Sequence, residues 1–269
     1  MSVFVIAEAG ANHDRNINQA FELVKIAKKS KADAVKFQTY SSETLYAKNA
    51  PDFAGYKNIN KLIKDIELPR EWQKDIKLFC DDQDIEFMST PFDERAVEEL
   101  YNIGVKRFKI AGFESTDPRI VKCIASTGLP LVITAGIGSD HHTVNKILGW
   151  VLEVNSDPDI TFLHGNNAYP TPLQDANLTL QGANWVSENA NLGQMKKLLD
   201  LQGSGNFFRT KFKVGLSDHT EGILVPPLAV AMGAQAVEKH YTISRSLEGP
   251  DHKFAIEPTE LCQMIENIR

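Results

Sequence analysis

The sequence predicts a single (β/α)8 barrel, and three observations lead there. The chain has 269 residues, and a barrel of this kind uses about 250. Short β-branched runs alternate with amphipathic helical segments from end to end, the pattern of a parallel sheet with helices outside. Eight such units can be counted, and no G-x-G-x-x-G follows the first run, so a doubly wound open sheet is the weaker alternative.

Taken in order, the first strand is expected at Val3–Glu8, with a helix near Asn18–Lys29. Ala34–Gln38 gives the second strand, and an irregular stretch from Ser41 to Leu68 separates it from a helix at Arg70–Gln83. Glu86–Ser89 leads into a helix at Glu94–Asn102, with Asp93 placed to accept from the free amides of the first turn. Val105–Ile110 precedes a helix at Pro118–Ser126, whose end is marked by Gly128 and Pro130. Leu131–Thr134 precedes a helix near His141–Val154. Ile160–His164 is followed by an irregular region and a helix at Leu192–Leu201. Phe212–Leu216 precedes Ile223–Met232, and Ala236–His240 precedes a closing helix at Pro258–Ile268. No linker or shift in composition intervenes, so residues 1–269 read as one domain.

The bulk properties exclude more than they select. A net charge of -6 without any Lys/Arg cluster speaks against a nucleic-acid surface. Anionic small substrates stay compatible, because a few cations in a cleft outweigh a diffuse surface charge. Cys80, Cys123 and Cys262 lie far apart on helical segments, without metal-type spacing, and read as packing residues. No apolar run approaches the ~20 residues of a membrane span. The chain opens on a strand-like run with no basic leader, so a cytoplasmic location is expected.

In a barrel, chemistry sits at the C-terminal ends of the strands. Those ends carry Glu8, Lys36 and Gln38, Ser89 and Thr90, Lys109, Thr134, His164, Ser217 to His219, and Glu238 to His240. Strand ends meet water, which accounts for the hydroxyls. It accounts less well for Lys36 between Val35 and Phe37, or Lys109 between Phe108 and Ile110. A lysine inside an apolar strand must lose its charge or find an anion. Placed on neighbouring strands, the two suggest a pocket for a carboxylate and a phosphate; internal pairing with Glu8 or Glu238 is the plainer alternative.

His219 and His240 end the last two strands, which lie under about 5 Å apart as parallel neighbours. Two imidazoles there can reach one metal ion, with Asp218 and Glu8 as nearby carboxylates and with positions left open for water or substrate. Gly249-Pro250-Asp251-His252 forms a tight turn after the last strand. Its spacing favours a structural role, although Asp251 would hang over the barrel mouth.

Eight strings stand out in order along the chain. They are Ile6-Ala7-Glu8-Ala9-Gly10-Ala11-Asn12-His13, Ala32-Asp33-Ala34-Val35-Lys36-Phe37-Gln38-Thr39, Ser89-Thr90-Pro91-Phe92-Asp93, Phe108-Lys109-Ile110-Ala111, Tyr169-Pro170-Thr171-Pro172, Gly215-Leu216-Ser217-Asp218-His219-Thr220, Glu238-Lys239-His240-Tyr241-Thr242 and Gly249-Pro250-Asp251-His252. Together they resemble the N-acetylneuraminate (sialic acid) synthase family. That resemblance implies a (β/α)8 barrel that uses Mn2+ or a similar divalent metal, Mg2+ or Co2+. It implies joining of C3 of phosphoenolpyruvate to the aldehyde carbon of an open-chain N-acylated hexosamine, with release of phosphate and a nonulosonic acid. By position, His219 and His240 resemble the metal ligands. Lys36 and Lys109 resemble the cations that grip phosphoenolpyruvate, helped by Thr90, Asn167, Tyr169 and Ser217. Glu8, Glu114 and Asp251 resemble carboxylates that contact the sugar or move protons, and Glu238 joins them as a candidate proton carrier.

The chain departs from the family's pattern at several points. Gly112-Phe113 replaces a usual Ser-Gly and removes a hydroxyl, although Glu114 keeps its place. Gly165 replaces a usual Cys, and Thr134-Ala135-Gly136-Ile137 replaces Ser-Thr-Gly-Met. The segment Gln181–Lys211 is longer than expected and is a candidate cover for the site. Many members continue beyond the position of Arg269 into a small antifreeze-like domain, whose arginine reaches the sugar bound to a partner subunit. A homodimer is one possible assembly. The alternatives are a phosphoenolpyruvate-dependent synthase acting on another aldose or an aldose phosphate, and a non-catalytic sugar- or metal-binding relative.

Overall fold

The computed structural model describes residues 3–51, 57–135, 140–166, 168–171, 190–203 and 211–269. Its strands are β1 (Phe4–Glu8), β2 (Ala34–Thr39), β3 (Glu86–Pro91), β4 (Phe108–Ile110), β5 (Leu131–Thr134), β6 (Ile160–Gly165), β7 (Phe212–Asp218) and β8 (Ala236–His240). All ladders are parallel, in the order β3-β2-β1-β8-β7-β6-β5-β4. The sheet's two ends, β3 and β4, pack side by side without a ladder, so the barrel is nearly closed. The expected fold class is the one observed.

The helices among the described residues are α1 (Ile17–Lys29), α2 (Ile59–Ile66), α3 (Gln73–Asp82), α4 (Glu94–Asn102), α5 (Pro118–Ala125), α6 (His141–Leu152), α7 (Leu192–Gly203), α8 (Val225–Ala231) and α9 (Pro258–Ile268). Their ends follow local chemistry. Asn16, Asp93, Asp117 and Asp140 each accept a first-turn amide, and Glu257 with Glu260 closes a capping box on α9. The sequence reading missed α2, which sits inside the stretch expected to be irregular. It is short, and its cap, Asn58, adopts the left-handed region at φ 56°. Its face, Ile59 and Ile63, packs with Tyr40 in a small satellite core. The start expected for α3 is instead a 3-10 turn over Arg70–Trp72.

Two apolar layers hold the barrel. The larger fills the space between sheet and helices, from Val5 and Val35 round to Ile265. The smaller lies inside the barrel and consists of Ile6, Ala34, Met88, Val132, Leu163 and Ala236. Because side chains alternate along a strand, the residue two positions beyond each of these also faces inward. Those next positions are Glu8, Lys36, Thr90, Thr134, Gly165 and Glu238. An apolar floor therefore carries a polar layer directly above it.

At Gly215 in β7, an added Cβ would stand 2.3 Å from the Ala236 carbonyl oxygen and 2.8 Å from Leu163 Cδ2. Backbone on one side and the floor on the other leave no room to yield. Gly215→Ala is expected to destabilise the fold by roughly 1–3 kcal/mol through overpacking. Thermal denaturation should show a fall of several degrees; an unchanged midpoint would contradict this packing.

Candidate active site

The polar layer opens into a cavity at the C-terminal end of the barrel, lined among others by Glu8, Lys36, Gln38, Thr90, Lys109 and Thr134. Tyr169, Ser217, His219, Glu238 and His240 complete its far wall. Alternation along β2, β7 and β8 explains most of this set: Lys36 and Gln38, Ser217 and His219, Glu238 and His240 are each two residues apart.

Glu238 is the centre of the charge network. Its carboxylate lies 3.2 Å from Lys36 Nζ and 3.8 Å from Lys109 Nζ, and it accepts the Ser217 hydroxyl at 2.9 Å. Lys36 also faces Glu8 at 3.3 Å and donates to Thr90 Oγ1 at 3.2 Å. Lys109 donates to Thr134 Oγ1 at 2.8 Å and to the Ile110 carbonyl at 3.1 Å. Gln38 donates to Glu8 at 2.8 Å. The plainer reading of the lysines is the one seen: both are buried at the wall of the cavity and paired internally, Lys36 with Glu8 and Glu238 and Lys109 with Glu238.

Burial sets the ionisation of this network as much as pairing does. Burial pushes Glu8 up to about 7, against the pull of Lys36 and with the push of Glu238. Glu238 is also raised by burial, but Lys109 and Lys36 outweigh that and hold it at about 2. Lys109 is drawn down to about 8 by burial, which Glu238 resists. Lys36 stays above its ordinary range, because Glu238 and Glu8 together overcome its burial.

His219 and His240 converge, with ring centroids 5.5 Å apart. His219 Nδ1 bonds the Asn166 carbonyl at 2.5 Å, which makes that nitrogen the donor and leaves Nε2 with its lone pair. Burial lowers His219 to about 4 and His240 well below its ordinary value, so both rings are neutral near pH 7. Neutral imidazoles are what a divalent ion needs as donors, and the pair fits one. No group of three or more His, Cys, Asp or Glu able to hold an ion occurs among the described residues. An ion here would complete its shell with water or substrate. Tyr169 packs against the pair, its ring 4.1 Å from that of His219, and is fixed there by the Thr171 amide donating to the His219 carbonyl at 2.8 Å.

Several expectations need correction. Lys36 on β2 and Lys109 on β4 are not on neighbouring strands; β3 stands between them, and Glu238 joins them from across the barrel. Asp218 is not beside the histidines. It falls between the inward Ser217 and His219, so it points outward, where Lys239 meets it at 2.6 Å. Glu114, on a 3-10 turn after β4, and Asp251 do not line the cavity itself. Glu114 is half-buried within electrostatic reach of Lys109, and Asp251 stands behind His240, its Oδ2 3.8 Å from His240 Nδ1. Asn167, Gly136 and most of Gln181–Lys211 lie outside the described residues. Gln38 and Thr134 are the residues that the sequence reading named at strand ends but did not carry into the site.

The Gly165 and Thr134 departures turn out to be one exchange. A Cβ on Gly165 would lie 2.9 Å from Thr134 Cγ2, so the threonine methyl occupies the space that a side chain on β6 would need.

The chain is similar to known proteins over nearly its whole length. The chain is 38% identical over 280 residues to the N,N'-diacetyllegionaminic acid synthase of Legionella pneumophila, covering 100% of this chain and 72% of that protein. It is 32% identical over 274 residues to a pseudaminic acid synthase of Campylobacter jejuni, covering 99% of this chain and 73% of the relative. Among solved structures, the N-acetylneuraminic acid synthetase of Leptospira borgpetersenii in complex with citrate superposes with a TM-score of 0.82 at 30% identity. That match covers 100% of this chain and 83% of the other.

Two outcomes follow from the site. Folded Glu8 holds its proton up to about pH 7, whereas the unfolded chain releases it near 4.5. Between those values the folded state binds more protons, so this group's contribution to stability falls as pH rises. The depressed histidines slope the other way, so the test is a difference: Glu8→Gln should gain on the parent by about 2 kcal/mol from pH 5 to 7. Denaturant titrations at several pH values would read it, and parallel stability curves would refute it. Separately, Gly165→Ala should destabilise by roughly 1–3 kcal/mol, and Thr134→Ser should restore part of that loss in a double-mutant cycle.

The NeuB family's sequence profile matches residues 23–182 and 186–269, and on that match, with its relatives and its barrel, the chain belongs to the NeuB family.

Proposed function

We propose that this chain is a metal-dependent synthase that condenses phosphoenolpyruvate with an open-chain N-acylated hexosamine, N-acetylmannosamine or a related sugar, to give a nonulosonic acid and phosphate. The observation that carries the reading is the pair Lys36 and Lys109, both buried at one cavity and bridged by Glu238. The relatives, synthases of legionaminic, pseudaminic and sialic acids, support the same reaction class.

Phosphoenolpyruvate brings a carboxylate and a phosphate. Lys36 and Lys109 would turn to those groups from Glu8 and Glu238, with Thr90, Asn167 and Ser217 adding neutral hydrogen bonds. His219 and His240 would hold the divalent ion, Mn2+ or alternatively Mg2+ or Co2+, which supplies Lewis acidity at the acceptor's aldehyde oxygen. C3 of the enolpyruvate attacks the aldehyde carbon, and positive charge grows at C2. Glu8 and Glu238 face that charge and stabilise it electrostatically. Water then adds at C2, and the bond from C2 to the phosphate oxygen breaks to leave the keto acid. Glu8, held near neutrality by its burial, is the carboxylate suited to take the proton of that water. Tyr169 would meet the acceptor at the cavity wall, and Glu114 and Asp251 would act on it from outside that wall.

The test is an acceptor panel. With Mn2+ and phosphoenolpyruvate, phosphate should be released only when an N-acylated hexosamine is present, and the product should have the mass of the sugar plus a pyruvic acid unit. Lys36→Met should lower turnover by about 10²-fold or more. Absence of phosphate release with every aldose and aldose phosphate would remove the proposal. Bound metal without turnover would identify a binding relative instead.

A further inference from the structure

His252 is fully buried, yet nothing in the proposed reaction uses it. Its two ring nitrogens reach in opposite directions. Nδ1 lies 2.6 Å from Thr242 Oγ1, just past β8, and Nε2 lies 2.9 Å from Asp14 Oδ1 in the loop after β1. One imidazole thus ties the Gly249–His252 turn to both strands that flank it.

The next residue inward is Asp251. Its Oδ2 accepts the Ala11 amide at 3.1 Å, again from the loop after β1, and stands 3.8 Å from His240 Nδ1. His240 Nδ1 has no hydrogen-bond partner, so Asp251 is the carboxylate placed to orient it.

Two glycines make room for this arrangement. A Cβ on Gly10, which has φ +53°, would come within 2.6 Å of Asp251 Oδ2 and 3.3 Å of His240 Nδ1. A Cβ on Gly249 would come within 2.8 Å of the His252 ring and 3.5 Å of Asp14 Oδ1. The loop after β1 is also held in an unusual course. Asp14 and Arg15 both have positive φ, at 48° and 50°, and Gln19 Nε2 clamps Asp14 Oδ2 at 2.5 Å. Asn12 Nδ2 fastens the same loop to the Tyr241 carbonyl at 2.8 Å. The backbone has been shaped around the contacts between the two loops.

We infer that His252, clamped between Thr242 and Asp14, is a positioning residue: it fixes the Gly249–His252 turn so that Asp251 stays against His240 and sets the orientation of that ring. The inference rests on the reading of His219 and His240 as the metal-holding pair, and it assigns Asp251 a role in orienting His240.

Two readouts test it. The first is Mn2+ binding alone, by calorimetry on the full chain without substrate. His252→Ala and Asp14→Ala, which act through Asp251, should each weaken Mn2+ by about 10-fold, the lower end of the range seen when the outer partner of a ligating histidine is removed. His252→Gln, whose amide can still donate to Asp14, should stay within about threefold of the parent, as an outer-partner bond retained. The second readout is the ring-nitrogen NMR spectrum of His240 in metal-free protein. It should show one fixed set of shifts in the parent and in His252→Gln, and averaged or broadened signals in His252→Ala.

A purely structural histidine would lower the melting temperature of His252→Ala while leaving both readouts of the folded protein unchanged, and that result overturns the inference. If His252→Ala does not fold, Asp14→Ala and His252→Gln decide by the same criteria. If the parent binds no Mn2+, the metal reading of the site fails by itself, and the His240 spectra still decide whether His252 positions that ring.

Discussion

The site depends on one carboxylate shared between two ammonium groups. Glu238 rises from β8 across the barrel interior and neutralises lysines that belong to β2 and β4. Without it, two buried cations would face each other and Glu8 above an apolar floor, and burial would favour discharging them. With it, Lys36 remains charged and Lys109 is left only partly compensated. The network holds two cations and two carboxyls, and one of those carboxyls is balanced near neutrality. When Glu8 carries a proton, the cavity has a net positive charge.

The fold was legible because its signals are local and repeated. The helix Glu94–Asn102 was readable to the residue, since Asp93 caps it and its apolar stripe has the right period. β4 was overestimated at its start: Val105–Arg107 have strand-like neighbours in sequence, but only Phe108–Ile110 pair with β5. The helix Ile59–Ile66 was invisible because its cap depends on a left-handed asparagine and its purpose is to cover Tyr40, a contact that only the folded loop creates.

The site was legible as a list of strand-end residues, and less so as an arrangement. Position along a strand gives parity, which groups Ser217, His219, Glu238 and His240 on the inner face and sets Asp218 on the outer one. Position around the barrel is a different quantity. That Glu238 meets both lysines, or that Asp251 stands behind His240, follows from curvature that no single strand encodes. Gln38 and Thr134 were passed over because an amide and a hydroxyl at a strand end are unremarkable until their partners, Glu8 and Lys109, are seen to be buried.

The missing ladder between β3 and β4 bears on this arrangement. Everywhere else the staves are stitched by amides, so their spacing is fixed by the backbone. Along this one join it is set by side-chain packing alone, and Lys36 and Lys109 lie on opposite sides of it. The gap between the two cations is consequently governed by a strap of side-chain contacts through Glu238, Thr90 and Thr134. The one join without amide stitching thus lies between the strands that bear the two cations, and an anionic guest replacing that strap would bear on its width directly.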